Sequence, residues 1–332
     1  MNRVYERIAR TLGSAWSEKK SGRELVGCAV GLMGFCVVWK GASFVWKYYA
    51  KPFPTIRAKY SNSWAIVTGA TGGIGLGVVH ELAAQGVNVV LVARNAENLA
   101  TTAAVVRAHY PGVKVRIVSL DAENPGDFSA LLTVIRDVDV SLLFNNVGVH
   151  NHIPTNVADM DPQEVRRLVD VNCTFQVQLT TLVLPQMVQY MQNKASGQGP
   201  AVVVNISSLT SKMAMPMLSV YAATKAFEEH YTEGLAAELQ PLGIEAMCLR
   251  PGLTVSAMSG ETKESLFCPT AAVMARACVR MLGCGEVSVV PYGPHALLDG
   301  INNLVPKSLT WSIVRDMHAK KRADLLLVNK TT

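Results

Sequence analysis

Trp64-Ala65-Ile66-Val67-Thr68-Gly69-Ala70-Thr71-Gly72-Gly73-Ile74-Gly75 is the stretch on which the reading of this chain turns. Its first five residues form an apolar run of strand length. Glycines at 69, 72, 73 and 75 follow, and behind them a pattern of helical period runs through Gln85 to a stop at Gly86. Glycines placed between a strand and a helix allow a tight turn and a close backbone approach to a pyrophosphate, whose charge suits the helix N-terminus. A glycine cluster standing alone has a plain turn as its competing reading. Set between strand and helix it meets the context that a dinucleotide fingerprint requires, here spaced Gly-x-x-x-Gly-x-Gly.

Outward from that turn the same alternation repeats. A second strand is predicted at 87–93, then strands at 113–120 and 138–144, with helical stretches at 95–110 and 124–136 between them. Strands alternating with helices predict an α/β fold, a parallel sheet with helices on both faces. The second strand ends at Arg94 instead of the acidic residue that usually grips a ribose 2′-hydroxyl, and an arginine there accommodates a 2′-phosphate. Asp121 closes the third strand, and Asn145-Asn146-Val147-Gly148 closes the fourth, at the strand ends where ligands lie in such sheets.

Tyr221-Ala222-Ala223-Thr224-Lys225 reads Tyr-x-x-x-Lys, thirteen residues after Ser208. On a helix over 219–240 the two side chains stand one turn apart on one face. An ammonium beside a phenol favours the phenolate, so the phenol can exchange a proton with a carbonyl or alcohol oxygen near neutral pH. Ser208 would offer a second hydroxyl to the same oxygen.

Composition narrows the rest. The 332 residues carry a formal charge of +6, and the one dense basic run, Lys320-Lys321-Arg322, has no aromatic interleaving, so nucleic acid is not an expected partner. Seven scattered cysteines form no C-x-x-C pair and no zinc spacing, which predicts reduced thiols and no metal site. Residues 25–39 carry no charge, Lys40 interrupts, and 41–46 is again uncharged. Fifteen helical residues span about 22 Å, whereas 25–46 reaches about 33 Å, enough to cross a bilayer if Lys40 snorkels. Trp39, Trp46, Tyr48 and Tyr49 fit an interfacial belt. A docked helix and a signal peptide are the competing readings. Six Lys/Arg in 1–24 against five in 40–59 leave orientation undecided. The sequons at Asn172 and Asn205 fall within the site framework, which favours a cytosolic catalytic part. The expected organisation is an anchor region over 1–60, a nucleotide-binding domain over 61–292 and an extension over 293–332.

These motifs, with Val171-Asn172, Asn-Ile-Ser-Ser at 205–208 and Pro251-Gly252, resemble the short-chain dehydrogenase/reductase family and its Rossmann-type, doubly wound fold over about 64–291. The N-terminal apolar segment, Ser-Trp-Ala-Ile-Val-Thr-Gly-Ala-Thr at 63–71, Asn-Asn-Val-Gly at 145–148 and Leu-Val-Leu-Pro-x-Met-Val at 182–188 resemble one membrane-bound branch. That branch holds 17-beta-hydroxysteroid dehydrogenases and very-long-chain 3-oxoacyl-CoA reductases of the endoplasmic reticulum. The resemblance implies Tyr221 as acid/base, Ser208 orienting the carbonyl, Lys225 on the nicotinamide ribose and Asn172 holding a water of the proton relay. It implies cofactor contacts from Gly69, Thr71, Gly73, Ile74 and Gly75 on the pyrophosphate side, and from Asp121 on the adenine. Asn146 would meet the ribose, and Pro251 and Gly252 the nicotinamide. Leu253-Thr254-Val255-Ser256 departs from the family pattern, so the carboxamide contact falls to Thr254 or Ser256; Gly72 replaces an often basic residue, which weighs against NADP(H), while Arg94 weighs for it. The expected activity is NADPH-dependent reduction of a long-chain 3-oxoacyl-CoA, with hydroxysteroid dehydrogenation as the alternative and a catalytically silent lipid-binding relative as a distant one. Homodimers through helices near 161–195 and 219–240 are the family default.

Overall fold

A computed structural model describes residues 22–51 and 55–331. The chain divides into two units, 1–52 and 53–332. Residues 1–21, with most of the basic residues counted ahead of Leu25, lie outside the described residues.

In the first unit, helix α1 (Gly22–Val45) continues into a π-helical turn, Trp46–Ala50. Among the described residues, Ala29–Ala50 is long and apolar enough to cross a membrane by length and composition, and it overlaps most of the expected 25–46. Lys40 lies within that stretch, and in a bilayer its flexible stem would be what carries the ammonium toward an interface. Val30, Met33, Phe35 and Trp39 are exposed.

The second unit is built on seven parallel strands: β1 (Trp64–Thr68), β2 (Asn88–Ala93), β3 (Val115–Ser119), β4 (Val140–Asn145), β5 (Val202–Ile206), β6 (Glu245–Leu249) and β7 (Ser288–Val289). Their order is 3-2-1-4-5-6-7. The order reverses between β1 and β4, so a crevice opens at the carboxyl ends of those two strands. β1 and β4 are buried along their whole length, which is why they read as unbroken apolar runs instead of alternating ones.

Helices α2 (Ile56–Tyr60), α3 (Gly73–Ala84), α4 (Ala96–His109) and α5 (Ser129–Ile135) precede β4. Beyond it, the stretch read as one helix over 161–195 is two, α6 (Pro162–Val169) and α7 (Phe175–Asn193), joined by a π-helical turn at Asp170–Thr174. Widening by one residue keeps the backbone helical, so hydrophobic spacing does not reveal it. The long helix α8 (Ser219–Leu239) lies against β5 and β6. Helices α9 (Ala271–Arg280), α10 (Gly293–Asn302) and α11 (Lys307–Thr331) complete the unit.

One apolar cluster joins Ile66, Val90, Leu143 and Val203 of the sheet to Phe175, Leu179 and Val183 of α7 and Leu235 of α8. On α3, Gly77 faces α9 so closely that an added Cβ would stand 2.6 Å from Ala275 Cβ. That contact seats the helix whose first turn begins at the glycine loop.

Candidate active site

The site grows from the end of β5. Ser207 Oγ donates to Lys225 O at 2.7 Å, fixing α8 beside the strand. Lys225 is 5% exposed and its Nζ donates to Ile206 O at 3.1 Å and to both carboxylate oxygens of Glu228 at 2.9 and 3.0 Å. A charge so deep persists only when paired. Burial is the largest single influence and would push the Lys225 ammonium down; the Glu228 charge and hydrogen bonds, with smaller help from Tyr221 and Cys248, together hold it above the usual lysine range. Burial in turn holds the Glu228 carboxyl above the usual carboxylate range, against the pull of Lys225.

Tyr221 stands one turn earlier, half-buried, with Lys225 Nζ 5.9 Å from its ring centroid. Ser208 starts the short 3-10 turn Leu209–Lys212, and its Oγ accepts from Thr210 N at 3.2 Å, so its own hydrogen remains to donate. A Cβ built at Gly148 would lie 3.3 Å from both Lys225 Nζ and Asn172 Oδ1, which places the loop after β4 directly over the pair. Asn172 is fully buried in the π-helical turn; its Nδ2 donates to Val149 O and Thr224 Oγ1, each at 2.9 Å, and its Oδ1 accepts from Val149 N at 2.8 Å. Both N–H groups are spent on clamping the loop to α8.

The cofactor side is equally defined. Gly69 and Gly73 have φ of +64° and +54°, and a Cβ at Gly75 would collide with Gly69 O. No side chain caps α3 at Gly72, so the first N–H groups of that helix have no competitor for an anion. Gly72 opens onto free space, while Gly73 lies within 3.8 Å of Ser256 when a Cβ is built on it. Thr71 and Ile74 are half-buried beside the turn. Arg94 is exposed at the end of β2, and Asp121 is exposed beyond β3 with its Oδ1 accepting from Glu123 N at 3.1 Å. This uncapped helix start, glycine floor and free arginine fit a phosphate-bearing dinucleotide. Asn146 is turned inward, Nδ2 donating to Thr68 O at 2.8 Å. Pro251 is buried; Thr254 is buried too, its hydroxyl donating to Gly252 O at 3.1 Å, which leaves Ser256 as the one facing the glycine turn.

The short chain dehydrogenase family model matches residues 63–266. The chain belongs to the short-chain dehydrogenase family. As a member of it the protein is an oxidoreductase, and its parallel sheet is the family's Rossmann-type fold. It is similar to the very-long-chain 3-oxoacyl-CoA reductase of Ajellomyces capsulatus, 33% identical over 71% of this chain and 70% of the relative. The enzyme of the same name from Mus musculus is 26% identical over 89% of this chain and 98% of its own. Among solved structures, a short-chain dehydrogenase from Sphingobium yanoikuyae in complex with NADPH superposes with a TM-score of 0.61 at 26% identity, covering 73% of this chain and 94% of that one.

Two residues of this short-chain dehydrogenase site escape motif reading. Glu228 carries a signal, lying three residues after Lys225 on a helix face that must turn inward. His150 carries none: its ring meets Tyr221 edge-on at 6.0 Å between centroids, while Nδ1 faces Asn151 O and Nε2 faces Met258 O. It thus joins the loop after β4 to the 253–268 loop above the phenol. Cys173, beside Asn172, is inert; burial, then the Glu228 charge, pushes its thiol up to about 12.

Proposed function

We propose that the protein is an NADPH-dependent reductase that converts the ketone of a long-chain 3-oxoacyl-CoA to the 3-hydroxyacyl-CoA, working at the endoplasmic-reticulum membrane with its catalytic unit on the cytosolic side. The observation that carries the reading is Tyr221 one helical turn from a buried, charged Lys225, set against the end of β5 and beneath the loop after β4. The curated relatives supply the substrate class. A nicotinamide, when bound, supplies the hydride that the ketone carbon receives.

The protein's own residues do the rest. Tyr221 donates its phenolic proton to the ketone oxygen as charge develops there. Ser208 donates a second hydrogen bond to that oxygen. Lys225 keeps a positive charge beside the phenol, and Asn172 holds the 148–149 loop over both. The uncapped start of α3 receives the pyrophosphate and Arg94 a 2′-phosphate, which favours NADPH over NADH.

The test compares NADPH and NADH oxidation by detergent-solubilised protein and Tyr221→Phe, with a long-chain 3-oxoacyl-CoA and a 17-ketosteroid. Turnover of the acyl-CoA with NADPH that falls by about 10²–10⁴ in the variant supports the reading. Turnover of the steroid alone replaces the substrate, and unchanged turnover in Tyr221→Phe removes the catalytic assignment.

A further inference from the structure

Glu228 has no part in the hydrogen transfers just described, yet Lys225 spends most of its donors on it. Both Glu228 oxygens lie within 3.0 Å of the ammonium, and the carboxylate is 1% exposed. The groups around it are few. Lys225 and Tyr221 lie on its own helix, Ser207 at the end of β5, Cys248 on β6 and Cys173 in the π-helical turn. Of these, Lys225 is the cation, and the two thiols are held neutral by burial, each pushed up to about 12.

We propose that Glu228 is a positioning residue whose carboxylate keeps the Lys225 ammonium charged and at the depth where it faces Tyr221. The proposal rests on the role of Lys225 in the reading above. Its physical basis is asymmetric: a buried lysine pays for desolvation whether or not its partner is present, but recovers that cost only from a facing anion. Ile206 O alone is a neutral acceptor and does not replace the charge. Without Glu228, Lys225 becomes a buried lysine of lowered pKa that turns neutral inside the working pH range. Its influence on the phenol then disappears as pH rises.

The experiment uses full-length solubilised enzyme as wild type, Glu228→Gln, Glu228→Asp and Tyr221→Phe. Two quantities are read from pH 6 to 10: the rate of 3-oxoacyl-CoA reduction, and thermal unfolding without cofactor. In Glu228→Gln the alkaline limb of the rate profile is expected about one pH unit or more below that of the wild type, a loss of about tenfold where the wild type is still flat. Glu228→Asp, one methylene shorter, is expected to lie between them. Unfolding follows the sign of the lysine shift. A folded-state pKa below the unfolded value near 10.4 makes the unfolded chain bind more protons, so the Tm of Glu228→Gln rises with pH between about 7 and 10. The wild type, with Lys225 raised, gains nothing over that window. A Glu228→Gln variant with the wild-type rate profile and a Tm lowered equally at every pH would overturn the proposal, leaving Glu228 a packing residue. If Glu228→Gln does not fold, Glu228→Asp carries the same comparison, and a limb that does not move overturns it. Full activity in Tyr221→Phe would instead sink the catalytic reading, while the unfolding curves still decide whether Glu228 sets the charge of Lys225.

Discussion

Arg94 stands exposed at the end of β2 with no carboxylate next to it to set a ribose 2′-hydroxyl. Its removal tests cofactor choice at a single side chain. Arg94→Ala is expected to raise KM for NADPH by about 10–100-fold, the worth of one charged hydrogen-bonding contact, and to leave KM for NADH nearly unchanged. Steady-state kinetics with both nucleotides check this. At this scale the sequence was most readable where a spacing maps directly onto a helix face, as with Tyr221 and Lys225. It was least readable where a loop's path decides the neighbour. His150 meets Tyr221 only because the segment after β4 folds back over α8, and Asn146 turns its amide to Thr68 for the same tertiary reason. Asn172 shows both sides: its position in the site was legible, but its side-chain N–H groups hold Val149 and Thr224.

Helix α10 illustrates how an element outside the expected domain boundary supports the site. His295 is fully buried, its Nδ1 accepting from Gly252 N at 3.0 Å and its Nε2 facing Phe267 O at 3.0 Å. That pattern fixes a neutral imidazole protonated on Nε2. Burial lowers the His295 pKa, so between its folded value and the usual imidazole value near 6.5 the unfolded chain holds the extra proton. Its contribution to stability is full above about pH 6.5 and is lost as pH falls below it. His295→Leu is expected to flatten this acid limb of Tm against pH while costing about 1–3 kcal/mol at neutral pH, the penalty of an orphaned Gly252 N–H. Calorimetric scans from pH 5 to 8 measure both. Strands β5, β6 and β7 were not read from the sequence, whereas the first four strands were legible from apolar runs, with ends differing by one or two residues, as for β3 at Val115–Ser119. The π-helical turn at Asp170–Thr174 was not, because an i→i+5 hydrogen bond leaves no mark on side-chain spacing.

For the whole molecule, alternation of strand and helix made a parallel sheet legible, whereas the order 3-2-1-4-5-6-7 depends on which way each crossover turns. The two-unit division yields a prediction at this scale. Among the described residues, the apolar cluster of the second unit draws on Trp64 and residues after it. Deleting residues 1–50 is expected to move the protein from the membrane pellet to the supernatant while its nucleotide binding survives, read by fractionation and NADPH fluorescence. The contact between Gly77 and Ala275 reaches across 198 positions of chain. Its consequence is genetic. Gly77→Ala forces two methyl groups into one space and is expected to cost about 1–3 kcal/mol, but Ala275→Gly in the same gene vacates that space. A selection for revertants of the first lesion should therefore return the second, far downstream, so that two distant codons behave in inheritance as a single locus.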